Sequence, residues 1–123
     1  MAKPEKAESL AFEMRFLEGI VKERPNYIEA LIPLAEAYTR QGFYEKGLEL
    51  DRRLAFLLRN DPTVHYNLAC SLALMGKKPE AVAALKHAIS IGYDDGPHMA
   101  KDPDLKTLHD LPAFQSLLKG LGG

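Results

Sequence analysis

Tryptophan is absent from the sequence, cysteine occurs once, and neither sign of charge dominates. The lone Cys70 excludes an internal disulfide and fits a reducing compartment. Sixteen basic and 17 acidic residues are spread along the chain for a formal net charge of -1, so no clustered basic surface is set against nucleic-acid phosphates. No nucleic-acid partner is expected. No stretch approaches the roughly 20 apolar residues that a bilayer-spanning helix needs, and no membrane partner is expected either. The opening MAKPEKAES is charged, with no apolar segment behind a basic start, so a secretory signal is not expected and a cytoplasmic location is the default.

Catalytic and metal-binding patterns are also missing. His65, His87, His98 and His109 show no i, i+4 pairing, no HExxH and no cysteine-rich spacing that gathers them at one site. His65 and Cys70 share one expected helix but lie about 500 degrees of turn apart, which separates any Cys-His nucleophile pair. Asp94, Asp95, Asp102 and Asp104 cluster in turn-forming sequence without the alternating ligands, central glycine and closing Glu of a calcium loop. Glycines stand singly at helix ends, with no phosphate-cradling Gly-rich run. The chain is therefore read as having no catalytic site, no cofactor and no metal.

What the chain does have is helical periodicity. Its 123 residues, 46% hydrophobic and 27% charged, suit one soluble domain. In residues 67–89, Leu68, Ala69, Leu72, Ala73 and Met75 recur at helical spacing, stop at Gly76, and resume as Ala81, Val82, Leu85, Ala88 and Ile89. Gly76 ends one helix and Pro79 suits the first turn of the next, so this stretch is an antiparallel helical hairpin.

A shift of 34 residues superposes an earlier hairpin on this one. Leu34 falls on Leu68, Ala35 on Ala69, Tyr38 on Leu72, Gly42 on Gly76, Glu45 on Pro79 and Gly47 on Ala81. The period and this order of large, small and turn residues resemble the tetratricopeptide repeat family over about residues 28 to 95. Leu31 and His65 stand where the family often has Trp, and Leu72 replaces a Tyr. The resemblance implies an all-α, right-handed superhelix of helical hairpins with helical caps.

Taken in order, residues 4–25 read as a capping helix or half repeat, with Leu10, Met14, Leu17, Ile20 and Val21 as its apolar stripe. Residues 26–61 form the first repeat, with Asn26 and Glu29 as a capping pair and Pro33 expected to bend the helix it interrupts. Residues 62–95 form the second, opened by Asp61 and Pro62. After Gly96 the register of the repeat fails although helical signals continue, and residues 96–123 are expected to be a degenerate helical cap, with short helices begun by Asp102-Pro103 and Asp110-Pro112. Covering Leu85, Ala88 and Ile89 with this cap contributes roughly 1.5 to 3 kcal/mol for each side chain buried. From Lys119 onward, through the Gly-Gly end, the chain is expected to fray.

In the tetratricopeptide family the first helices of successive hairpins line a concave groove that receives peptides or protein segments. By helical spacing from Leu34 and Leu68, the groove side here comprises Glu29, Ile32, Pro33, Glu36 and Arg40, then Tyr66, Asn67, Cys70 and Leu74. Only Asn67 resembles the Lys, Arg and Asn set with which one family subset grips a C-terminal carboxylate, so that specificity is disfavoured. The resemblance thus implies a non-catalytic protein-binding scaffold. Self-assembly into a homodimer through Phe12, Phe16, Phe56 and Leu57 is one alternative, and an accessory domain that positions a separate enzyme is another.

Overall fold

The computed structural model describes residues 4–122, with side chains from Glu8 onward. The fraying expected from Lys119 onward is not seen at Lys119 and Gly120, which the last helix still carries, and Gly123 lies outside the described residues. Seven α-helices and one 3-10 turn carry the described chain, with no strand among them: α1 (Pro4–Glu23), α2 (Ile28–Arg40), α3 (Tyr44–Leu57), α4 (Pro62–Leu74), α5 (Lys78–Ser90), α6 (Gly96–Lys101), a 3-10 turn (Pro103–Leu108) and α7 (Pro112–Gly120). They form two compact units, one ending at Leu57 and one beginning at Leu58.

In the first unit α2 packs against α3 and against α1. Leu31, Leu34, Ala37, Leu48 and Leu54 are buried, with Leu17 reaching in from α1. The hairpin turn is closed by Gly42 at φ 84°, which lets the Phe43 amide donate to the Tyr38 carbonyl at 2.8 Å. Thirty-four residues on, Gly76 at φ 75° sets the same bond from Lys77 to Leu72 at 2.9 Å. A side chain with a Cβ would be strained at either glycine.

The capping pair expected at Asn26 and Glu29 does not form. Tyr27 holds the N-cap position without a side-chain bond, and the Arg24 guanidinium lies 4.1 Å above its ring. The helix starts one residue later than expected. Pro33 is carried inside α2, which continues to Arg40. The Asp61 cap does form, its carboxylate accepting from the Thr63 and Val64 amides at 3.0 and 3.2 Å.

In the second unit α4 packs on α5, and the tail packs on both, most extensively through the 3-10 turn against α4. Met99, Leu105, Leu108 and Phe114 are fully buried with Leu85 and Ala88. Leu68 departs from its expected inward place. Leu34 is buried, whereas Leu68 is half-buried.

The tail is more regular than its side chains suggest. First helices begin at Ile28, Pro62 and Gly96, and second helices at Tyr44, Lys78 and Pro112, so both series keep a spacing of 34. The expected lapse after Gly96 is therefore a lapse of side chains, not of elements. Asp102, at the position of Leu34 and Leu68, is extended and precedes Pro103, which cannot donate a helical hydrogen bond. This breaks the third first-helix into α6 and a 3-10 turn. Asp110 does not cap α7; Leu111 holds that place, and Gln115 Nε2 donates to the His109 carbonyl at 2.6 Å.

Gly47 lies where α3 crosses α2. A Cβ added there would sit 2.8 Å from Thr39 Oγ1 and 3.6 Å from the Ala35 carbonyl oxygen. Gly47→Leu is expected to lower unfolding free energy by about 2 to 3 kcal/mol in urea titration, against the modest gain its helix propensity alone would bring.

Candidate functional site

On α2, Glu29, Glu36 and Arg40 are exposed, and Ile32 and Pro33 are half-buried. Their spacing of three and four puts them on one side of the helix, away from Leu31 and Leu34 in the core. An exposed charge set flanking two apolar side chains suits an extended segment that alternates apolar and charged residues. Behind this side, the first unit holds a cleft of about 350 Å³ between α1, α2 and α3, lined by Glu18, Val21, Leu34, Tyr38, Lys46 and Arg53. The Tyr38 hydroxyl donates to Glu18, and burial with that bond pushes its ionisation well above the ordinary tyrosine range. Sequence reasoning did not find this cleft, because α1 meets α2 and α3 only in the fold.

On α4 the four expected residues divide. Asn67 and Leu74 are half-buried and reach solvent. Tyr66 and Cys70 are 4% and 7% exposed, closed over by the tail. The Tyr66 ring stacks on Tyr93 at 4.3 Å and its hydroxyl donates to Asp102 Oδ2 at 2.6 Å. Cys70 Sγ donates to the same oxygen at 3.7 Å, and His98 Nε2 lies 3.4 Å from it. The other carboxylate oxygen of Asp102 accepts from the Asp104 amide at 3.0 Å. Asp102, 8% exposed, thus fastens the tail to α4.

Burial and the nearby carboxylates push both the Tyr66 hydroxyl and the Cys70 thiol upward, so both keep their protons and remain donors. Cys70 Sγ and the carboxylates of Asp102 and Asp104 lie within 4.8 Å of one another, the one such group among the described residues with metal-ligand chemistry. Their bonding is that of a hydrogen-bonded clasp: the two protonated donors occupy the oxygen a cation would take.

Pairing of α4 with α5 also brings His65 and His87 together, ring centroids 4.5 Å apart, which their sequence spacing did not show. His65 Nε2 donates to the Arg59 carbonyl at 2.9 Å. Asp95 and Asp102 act as the helix caps expected of that aspartate cluster, Asp95 accepting from the His98 amide at 3.0 Å.

No family model matches the chain. Its fold is shared with MamA, a tetratricopeptide-type helical solenoid. The MamA MSR-1 C2 structure is 19% identical, with TM-score 0.73 over 95% of this chain and 70% of that one. A crystal structure of MamA is 18% identical, with TM-score 0.74 over 98% of this chain and 73% of that one. The chain is therefore an all-helical protein of tetratricopeptide type in its fold. Among curated proteins it is 33% identical over 88 residues to a chloroplastic protein of Arabidopsis thaliana, a match covering 67% of this chain and 25% of that protein. It thus spans about a quarter of the relative's length. Among the described residues no helix is long and apolar enough to cross a membrane.

Two outcomes test the clasp. Tyr66→Phe removes one donor from a buried carboxylate and is expected to cost about 1.5 to 3 kcal/mol of unfolding free energy. The Asp104 carboxyl is pushed up by burial and then by Asp102, so stability is lost as pH rises from the ordinary aspartate range through its folded value. Asp104→Asn is accordingly expected to gain melting temperature on the wild type between about pH 4 and pH 7, and a difference that is flat with pH would contradict this reading.

Proposed function

We propose that the chain is a non-catalytic interaction module whose first helices bind peptide or protein segments on their outward sides, α2 in the first unit and α4 in the second. The observation that carries this is the exposed set Glu29, Glu36 and Arg40 with half-buried Ile32 and Pro33 on one side of α2. Asn67 and Leu74 offer the corresponding reach on α4. The fold shared with MamA supports a protein-interaction or scaffold role in general.

Each residue has a definable task in this reading. Glu36 and Arg40 read charge of opposite sign, Asn67 donates and accepts along a peptide backbone, and Ile32, Pro33 and Leu74 take apolar side chains. Tyr66 and Cys70 hold α4 against the tail instead of touching the ligand. A cytoplasmic setting accords with this role.

Capture from the native host on immobilised full chain, followed by mapping of the bound segment, supplies the ligand for titration. Glu36→Ala and Asn67→Ala are each expected to weaken that segment by about three- to tenfold with helicity unchanged. Affinity unaltered by both substitutions would place the ligand elsewhere.

A further inference from the structure

Two large apolar side chains stand uncovered on α1. Phe12 and Phe16 are 64% and 60% exposed, and their rings stack on each other with centroids 6.3 Å apart. Single exposed apolar side chains are ordinary, whereas apolar side chains gathered at one place mark a contact surface. The helical repeat points to what belongs there. Phe16 lies 34 residues before Leu50, which is 5% exposed and lines the cleft of the first unit with Val21 of α1 and Leu34 of α2. On α3 this position is closed over by earlier helices; on α1 it is open among the described residues. Stacked hairpins bury such positions against a neighbouring helix. The charges beside the rings are mostly of one sign. At about 100 degrees per residue, Glu8, Phe12, Phe16 and Glu23 fall within one sector of about 80 degrees, and Glu13 and Arg15 border it on either side. All four charged residues are exposed, so three carboxylates stand against one guanidinium. Lys22 lines the cleft instead.

We infer that this face of α1 is a docking surface for a basic amphipathic helix of another protein. From Glu8 to Glu23 the stripe runs about 22 Å, the reach of about four helical turns. Apolar side chains of the partner seat on the two rings, and its lysines or arginines meet Glu8 and Glu23 at the ends and Glu13 at the border. A second copy of α1 answers these charges poorly. In antiparallel pairing each border of the stripe meets the same border of the copy, so Glu13 comes beside Glu13 and Arg15 beside Arg15, and Glu8 comes toward Glu23. Parallel pairing sets Glu8 beside Glu8 and Glu23 beside Glu23. A basic helix gives all three carboxylates a partner. The surface uses neither α2 nor α4, so it stands or falls separately from the peptide-binding reading.

Two labelled synthetic peptides of about 18 residues serve as probes: an amphipathic helix with leucines on one side and lysines on the other, and the same helix with glutamates for lysines. In anisotropy titrations of the full chain at about 50 mM salt, the lysine peptide is expected to bind at least about tenfold more tightly than the glutamate peptide. Phe12→Ser with Phe16→Ser is expected to weaken the lysine peptide by about tenfold, with helicity by circular dichroism unchanged. Glu8→Lys, Glu13→Lys and Glu23→Lys together are expected to reverse the preference between the peptides. Glu45→Lys, Asp94→Lys and Asp110→Lys change net charge equally at exposed positions elsewhere, and are expected to leave the preference in place. A lysine peptide that does not bind, a serine pair that leaves its affinity unchanged, or a control triple that reverses the preference as fully as the α1 triple would each overturn the docking surface. So would a wild type that sediments as a dimer and returns to monomer with the serine pair, because a second copy would then be the occupant.

Discussion

In the first two hairpins the paired helices approach so closely that side-chain bulk has to be missing between them, and the core of each hairpin depends on that approach. At Gly47 the space for even one methyl is taken by Thr39 Oγ1, and at the equivalent Ala81 exposure falls to 0%. Close approach lets short helices bury the leucines beside the crossing, Leu48 and Leu54 in one hairpin and Leu85 in the other. The positive-φ glycines Gly42 and Gly76 close these two hairpins with the same turn bond, whereas the third keeps the spacing of 34 without such a glycine. The first two hairpins thus share one steric condition at their crossing.

That condition leaves a strong mark on the sequence, and the hairpins were legible for this reason. Small residues at 47 and 81, glycines at 42 and 76, and the Asp61-Pro62 start all predict what the fold shows. The third hairpin was hidden because its mark is chemical, not steric. Where Leu34 and Leu68 stand in the others, Asp102 stands here, followed by a proline that interrupts the helix. An apolar-periodicity reading sees a break and misses the preserved spacing of Gly96 and Pro112. The N-terminal end of α2 differs from the expected capping pair: Tyr27, not Asn26, holds the N-cap place, and no side chain bonds there.

The candidate site shows the same division between near and distant causes. Helical spacing puts Glu29, Ile32, Pro33, Glu36 and Arg40 on one helix side, because side chains three and four apart share a side whatever the rest of the fold does. It did not reveal that Tyr66 and Cys70 are interior. Their partner, Asp102, is 36 residues from one and 32 from the other, and an aspartate in a turn-rich tail reads as a simple cap. Asp102 is a cap and a clasp at once: one oxygen starts the 3-10 turn and the other receives the donors of α4. The tail is thereby fastened to α4 through Tyr66 and Cys70.

In the proposed role, first helices meet the ligand while second helices serve as their backing. Amide hydrogen exchange of the full chain, alone and saturated with its captured segment, tests this most directly. Slowed exchange concentrated in α2 and α4, with α3 and α5 unchanged, is the predicted result. Protection centred on α3 or α5, with α2 and α4 exchanging as in the free chain, would contradict it.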